Sequence, residues 1–387
     1  MLGIVVRQSA VLEDRTPSLG EWREIDILRG IQATECECKL ICSSFDHYSM
    51  SQRKLRQKTT FYDRVFLKSP GYSNTSSVSR IIDAWVFSLK LFIYLFKRRN
   101  SIDFVIVSYP TPESSFVVSL LSKYMRVYVD VRDAWPSVFD LKGLKRVLFN
   151  FYCDSLFKVV LKRSRAIVAM SNAMRTFILS YDQELDCEVL PNPLGVPSAS
   201  DIDMSAHDEF NQLLVQDSCT VNLFFAGTLN QQFDFMIVYE TSKLLSKNNI
   251  KHQFLIAGSG KNYSALVKKY GGPNLKFLGQ LDKRVCDEYI KVCDGVFCFY
   301  KDKSFKGHLT NKILDYVRFN KFIFHNLGNY FMIDNQRVTI GYSVEAAADF
   351  YALISQFVGG ELVVNDVREA IPSREVFGQK IMEIMTR

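Results

Sequence analysis

Val127-Tyr128-Val129-Asp130-Val131-Arg132-Asp133-Ala134-Trp135-Pro136 passes from a short apolar run into three alternating charges closed by Trp-Pro. A run of this kind reads as a buried parallel strand. Charges at the end of such a strand are costly unless they pair with one another or bind something. In an open parallel sheet, ligands sit beyond the carboxyl ends of the strands. The stretch therefore predicts an α/β lobe that binds at its carboxyl edge. Asp130 or Asp133 can accept a proton or hydrogen bonds from a hydroxyl, and Arg132 can meet a phosphate. A purely structural Asp–Arg pair is the alternative.

The same rhythm extends in both directions. Ile4-Val5-Val6, Lys39-Leu40-Ile41-Cys42, Phe104-Val105-Ile106-Val107 and Ala166-Ile167-Val168-Ala169 are further strands of this lobe. Pro191-Asn192-Pro193 then interrupts, since both prolines lack an N–H and restrict the residue before them. Beyond it the pattern restarts with Asn222-Leu223-Phe224-Phe225, Phe254-Leu255-Ile256-Ala257, Lys276-Phe277-Leu278, Gly295-Val296-Phe297-Cys298 and Phe322-Ile323-Phe324. Two Rossmann-like domains, 1–193 and 194–387, are expected, with a last helix over 373–385 packing back on the first. A length of 387 residues suits two such cores.

A hydrophobic content of 48% excludes a disordered chain. Nine cysteines stand without a Cys-x-x-Cys pair, so they read as small core residues in a reducing compartment, and no metal is expected. Met1 to Val6 is too short an apolar run for a signal peptide, which predicts a cytosolic chain. Residues 1–200 hold 27 Lys and Arg against 20 Asp and Glu, whereas the remainder balances at 21 of each. A basic first half suggests an anionic partner, nucleic acid or an anionic membrane. Nucleic acid is disfavoured because the basic residues lie on apolar helices without an exposed aromatic platform. Residues 80–99 form an apolar helix whose charges Asp83, Lys90 and Lys97 share one stripe and whose end is Lys97-Arg98-Arg99. It is too short in uncharged length to span a bilayer, so it is either a buried helix with a basic cap or an interfacial one. Residues 142–163 pose the same alternatives.

The second half carries three loops of interest. In Ala226-Gly227-Thr228, a glycine lets backbone N–H groups approach a diphosphate. Gly258-Ser259-Gly260-Lys261 is a nucleotide-handling turn without a full dinucleotide fingerprint. In His308-Leu309-Thr310-Asn311-Lys312-Ile313-Leu314-Asp315-Tyr316, Thr310 or Asn311 caps a helix and Lys312 and Asp315 share its first turn. Lysine at that position suits a phosphate, and a carboxylate one turn on can hold ribose hydroxyls.

Taken in order, these segments resemble the family-4 retaining glycosyltransferases, in particular the bacterial branch that builds O-antigen and capsule. The resemblance rests on Asp130 to Pro136, Phe45-Asp46-His47, Pro17-Ser18-Leu19-Gly20, Ala169 to Met174, Leu190 to Pro193, Phe225-Ala226-Gly227, Ile256 to Gly260, Phe277-Leu278-Gly279 and Asn311 to Tyr316. It implies a GT-B fold of two Rossmann-like parallel-sheet domains facing a central cleft. It also implies sugar transfer with retention, without metal or cofactor, from a nucleotide-sugar donor, a UDP-sugar first, to a lipid-linked or oligosaccharide acceptor. By the resemblance Asp130, Arg132, Asp133 and Lys312 are catalytic; Gly20, His47 and Trp135 bind the acceptor. On the donor side Asp315 holds the ribose, Lys312 with Thr310 and Asn311 the diphosphate, Gly279 and Gln280 the base, and Gly227, Thr228 and Gly258 line the loop.

The chain departs from the family in three places, one of them Asn320-Lys321-Phe322, where the family has Gly-Lys-Pro after the donor helix. Gly307 stands where the family often has the first of two glutamates, and Thr228 to Gln232 lacks the usual Arg and Lys on the phosphates. Lys306, Lys312, Lys261 or Arg132 would then compensate. A sugar-nucleotide epimerase and a weakened scaffold of a polysaccharide assembly complex are the competing expectations. The expected place of work is the inner face of the plasma membrane, in peripheral contact with anionic lipid.

Overall fold

The apolar runs of the first half are strands of one parallel sheet: β1 (Leu2–Val6), β2 (Glu37–Ser43), β6 (Phe104–Tyr109), β7 (Arg126–Val131) and β8 (Ala166–Ala169). Two further strands sit at its edges, β5 (Asp63–Leu67) and β9 (Cys187–Val189), giving the order β5-β2-β1-β6-β7-β8-β9. A small antiparallel hairpin, β3 (Phe45–Asp46) with β4 (Ser51–Gln52), follows β2. The computed structural model describes residues 1–9, 23–47, 50–53, 62–73, 77–136, 139, 141–193, 219–229, 232–260, 262–333 and 336–386. These form two compact units, one of the described residues up to Pro193 and from Pro372 onward, the other of those between.

Strand parity decides which helices cover which face of the first sheet. Ile4, Val6, Val105, Val107, Val127 and Val129 point to one side, where they are buried with α2 (Val78–Lys97), α3 (Pro112–Ser119), α4 (Gly143–Arg163) and α5 (Asn172–Leu179). Val5, Ile106 and Tyr128 point to the other, under α1 (Arg23–Gln32) and the last helix.

The second unit repeats the plan. Its sheet runs β12-β11-β10-β13-β14-β17, with β10 (Val221–Ala226), β11 (His252–Ala257), β12 (Leu275–Gly279), β13 (Gly295–Cys298), β14 (Phe322–His325) and β17 (Tyr342–Ser343), all parallel. A hairpin of β15 (Phe331–Ile333) and β16 (Gln336–Val338) stands beside it. The helices are α6 (Phe235–Lys247), α7 (Tyr263–Tyr270), α8 (Lys283–Val292), α9 (Asn311–Val317) and α10 (Ala347–Val358). Side chains fix several starts: Asp234 accepts from Met236 N at 3.0 Å, and Thr310 from Ile313 N at 3.5 Å.

Of the polar stripe read on α2, only Asp83 turns inward; Lys90 and Lys97 are exposed. Asp83 is buried and accepts from Gln8 Nε2 at 2.9 Å and Gly71 N at 2.6 Å, because it fastens the ends of two neighbouring loops. Arg98 and Arg99 stack on Tyr94 and Phe96 at 4.0 and 4.4 Å and donate to the carbonyls of those residues, closing the helix end. Among the described residues no helix is long and apolar enough to cross a membrane.

The last helix, α11 (Arg374–Thr386), lies on α1 in backbone contact. A Cβ on Gly30 would stand 2.3 Å from the Cα of Gly378, and one on Gly378 2.5 Å from that of Gly30. Tyr128 Oη adds a hydrogen bond to Met385 O at 2.8 Å. Gly378→Val should therefore lower the stability of the first unit by about 1–3 kcal/mol, through forced separation of the two helices. Urea unfolding followed by circular dichroism measures it; an unchanged midpoint would contradict the contact.

Candidate functional site

In both sheets the chain reverses its direction of growth next to the first strand, between β1 and β6 and between β10 and β13. The crevice beyond the carboxyl ends at such a switch point is where an open α/β sheet binds its ligand.

In the second unit three loops meet there. Gly227 N donates to Ala257 O at 3.0 Å, Leu229 N to Ser259 O at 2.9 Å and Gly258 N to Gly279 O at 2.6 Å. Gly258 is forced to be glycine twice over: its φ is +144°, and a Cβ would lie 1.8 Å from Gly227 O. Ser259 Oγ donates to Gln280 Oε1 at 3.0 Å, joining the ends of β11 and β12. Thr228 and Gln280 are exposed on this edge.

Lys312, on the first turn of α9, reaches back into these loops. Its ammonium donates to Ala226 O and lies 4.8 Å from the Phe225 ring and 5.4 Å from that of Phe233. Gly227 makes the room, since a Cβ there would stand 2.2 Å from Nζ. Among the described residues no carboxylate lies within ion-pair distance of this ammonium. Desolvation pushes the Lys312 pKa down, partly offset by Cys298 and Asp315, although the side chain keeps some accessible surface. The arrangement holds a poorly solvated cation without a counter-anion at the mouth of a parallel sheet.

Asp315 stands on the same helix with a half-exposed carboxylate, gripped by Lys283 Nζ at 3.6 Å and Arg318 at 3.3 Å. Asp287 binds the same two cations at 2.7 and 3.4 Å. Lys283 and Arg318 were not legible as site residues, because at i,i+4 and i,i+3 from an acid they read as ordinary helix-surface pairs. Lys306 is tied to Glu345 at 2.6 Å. Thr310 caps α9, and Asn311 opens it. Lys261, Asn230 and Gln231 lie outside the described residues.

In the first unit the three charges of the 130–133 stretch separate. Asp130 is 1% exposed, and both its oxygens accept from Arg23 Nε at 2.8 and 3.0 Å, with Arg132 Nε 3.4 Å away. Arg132 also binds Glu24 at 2.9 Å, and Arg7 approaches the other Glu24 oxygen at 3.3 Å. Asp130 and Arg132 thus belong to a buried network with Arg7, Arg23 and Glu24. Asp133 is the charge of the three with an open face; surrounding protein still desolvates its carboxyl enough to raise the pKa, with Arg7 opposing.

His47, Tyr72, Arg80 and Thr111 line a cavity of about 30 Å³ with Gln8 and Ser43 at the β1/β6 switch point. His47 Nδ1 shares a 2.5 Å hydrogen bond with Tyr72 Oη. Burial, then Arg80, lowers its pKa, with Asp46 opposing, so the imidazole is neutral at neutral pH. Arg80 covers the Trp135 ring at 5.1 Å, and Trp135 packs on Phe139 and Phe149. Pro17 to Gly20 lies outside the described residues.

No protein-family model and no curated protein matches the sequence. Solved structures match the fold over nearly the whole length. Sucrose-phosphate synthase from Thermosynechococcus elongatus is similar with a TM-score of 0.70 at 10% identity, covering 100% of this chain and 98% of that one. A glycosyltransferase from Rickettsia africae gives 0.64 at 13%, covering 100% and 99%. Anabaena HepE, solved in complex with UDP-glucose, gives 0.62 at 12%, covering 100% and 99%. Identities this low establish the fold, two parallel-sheet α/β domains of GT-B type.

Because the folded state depresses the Lys312 pKa, its charged form is penalised at neutral pH; the penalty fades as pH rises from the folded value toward that of ordinary lysine. Lys312→Met should accordingly be at least as stable as the parent at pH 7, and its advantage should shrink toward pH 10.5. Urea unfolding across that range measures this, and a variant clearly less stable at pH 7 would contradict it.

Proposed function

We propose that this chain is a glycosyltransferase that moves a sugar from a nucleotide-sugar donor to a hydroxyl acceptor. The observation that carries the reading is Lys312: a poorly solvated ammonium with no carboxylate in ion-pair distance among the described residues, seated on the glycine loops at a sheet's carboxyl edge. Such a cation is completed by an anion, and the diphosphate of a donor supplies one.

Lys312, with the loop amide at Thr228 and those of Thr310 and Asn311, holds the diphosphate. As the bond between the anomeric carbon and the phosphate oxygen breaks, negative charge collects on that oxygen, and a fixed ammonium in a low-dielectric setting stabilises it. The acceptor oxygen bonds to the anomeric carbon, and its proton leaves with the phosphate. Asp315 accepts from the ribose hydroxyls through its open side. Lys283 and Arg318 hold it in place and add the positive charge missing from Thr228 to Gln232. Gly279 and Gln280 border the base, and Gly258 keeps the loops close enough for these contacts.

On the acceptor side Asp133 and the neutral His47 meet the incoming hydroxyl, with Trp135 and the Gly20 turn shaping the approach. Asp130 and Arg132 position Asp133 from their buried network. The ordered likeness to the family-4 branch supports retention, independence of metal, a UDP-sugar, and a lipid-linked or saccharide acceptor for O-antigen or capsule. HepE, which binds UDP-glucose, supports the same nucleotide. The basic first half supports peripheral work on the inner face of the plasma membrane.

A screen of nucleotide sugars for transfer or slow hydrolysis tests the reading. Asp315→Ala and Lys312→Ala should each cost at least about 10²-fold in kcat while circular dichroism stays unchanged; full activity in either would sink it. Calorimetric binding of neither UDP nor GDP would favour the scaffold, and an epimerised nucleotide sugar formed without acceptor would favour the epimerase.

A further inference from the structure

The first turns of α4 leave the body of the first unit. Every residue from Lys142 to Leu148 is exposed, and the helix rejoins the core only where Phe149 packs on Trp135 and Phe139. Leu144, Val147, Leu148 and Phe151, at 71, 63, 60 and 74% exposure, follow i, i+3, i+4, i+7 spacing and so make one row. The buried side chains of α4, Cys153, Phe157, Val160 and Leu161, occupy the opposite face. Continued by helical geometry, the row meets Ser155, Lys158 and Lys162; Lys145 lies at its flank, and Lys142 and Arg146 are exposed on the side away from it. It carries no acid; Asp154 lies to one side and accepts from Tyr181 Oη at 2.5 Å.

Scattered apolar exposure is ordinary, whereas concentrated exposure marks an interface. Of the eighteen large apolar side chains exposed among the described residues, nine lie on α4 and on α2, in the same helical layer. Protein interfaces are depleted in lysine at their core, while an apolar row edged by lysine and arginine is the pattern of a helix seated in lipid headgroups. We infer that α4 docks on an anionic bilayer by its exposed row, Leu144, Val147, Leu148 and Phe151 entering the headgroup boundary and Lys145 and Lys158 meeting lipid phosphates. The inference rests on the reading that the acceptor is presented at a membrane. It places the docking element at the carboxyl end of β7, next to Asp133 and Trp135. The Lys97-Arg98-Arg99 cluster lies at the other end of the sheet, where α2 leads into β6, and closes its own helix.

Co-sedimentation of the full chain with vesicles of phosphatidylcholine, with and without phosphatidylglycerol, tests the docking. The parent should pellet with the anionic vesicles. Leu148→Glu combined with Phe151→Glu should weaken this by at least about tenfold, and neutralising Lys97, Arg98 and Arg99 should leave it within about twofold. Both variants should keep the parent's UDP affinity. A parent that stays in the supernatant with both vesicles, or a double variant that pellets as well as the parent, overturns the inference. A dimer dissolved by the double substitution, seen by sedimentation velocity without vesicle binding, overturns it in favour of a second copy of the chain. A parent that binds vesicles but no nucleotide would refute the glycosyltransferase reading and leave the docking intact.

Discussion

A lysine ammonium kept away from water needs a reason to stay, and in the second unit its surroundings are built around that need. The Ala226 carbonyl accepts one of its protons, the Phe225 and Phe233 rings offer their faces, and position 227 has no side chain to displace it. Ala226 is itself steadied by Tyr316 Oη, which accepts from its N–H at 3.3 Å. The strand end, the glycine turn and the helix α9 are therefore one assembly. None of these contacts neutralises the charge, so the cost of desolvation is carried by the folded state.

The first unit handles charge in the opposite way. Arg7, Arg23, Glu24, Asp130 and Arg132 are packed together as a chain of ion pairs beneath the carboxyl edge, so their contribution is rigidity. Breaking one partner of such a set leaves an uncompensated buried charge, which costs more than the intact set contributes. The chemistry left at the surface is sparse: one open carboxylate, a neutral imidazole and an arginine laid over a tryptophan.

Central strands were plain in the sequence because they are buried on both faces and read as unbroken apolar runs, as in Phe104 to Val107 and Phe254 to Ala257. The edge strands β5 and β9 were not, because Asp63, Arg64 and Glu188 interrupt their patterns. At the site, the residue types with special backbone or helix-start roles, Gly227, Gly258 and Thr310, stood out individually. Their partners did not: Arg23 and Glu24 lie more than a hundred residues from Asp130 and Arg132, and no local period connects them. On α2 the spacing marks a stripe but not its exposure: Asp83 is buried, whereas Lys90 and Lys97 on the same stripe are exposed.

The helix α11 packs on α1 although nearly the whole second unit is made between them. During synthesis the hydrophobic side of α1 and of the first sheet waits uncovered until residue 386 has emerged. At about 5–20 residues per second that wait is on the order of tens of seconds, long compared with collapse of a chain this size. Folding of the first unit is thus contingent on translation of the second. A ribosome that stalls between the two should release a nascent chain with an open apolar flank, a natural client for chaperones and a target for proteolysis.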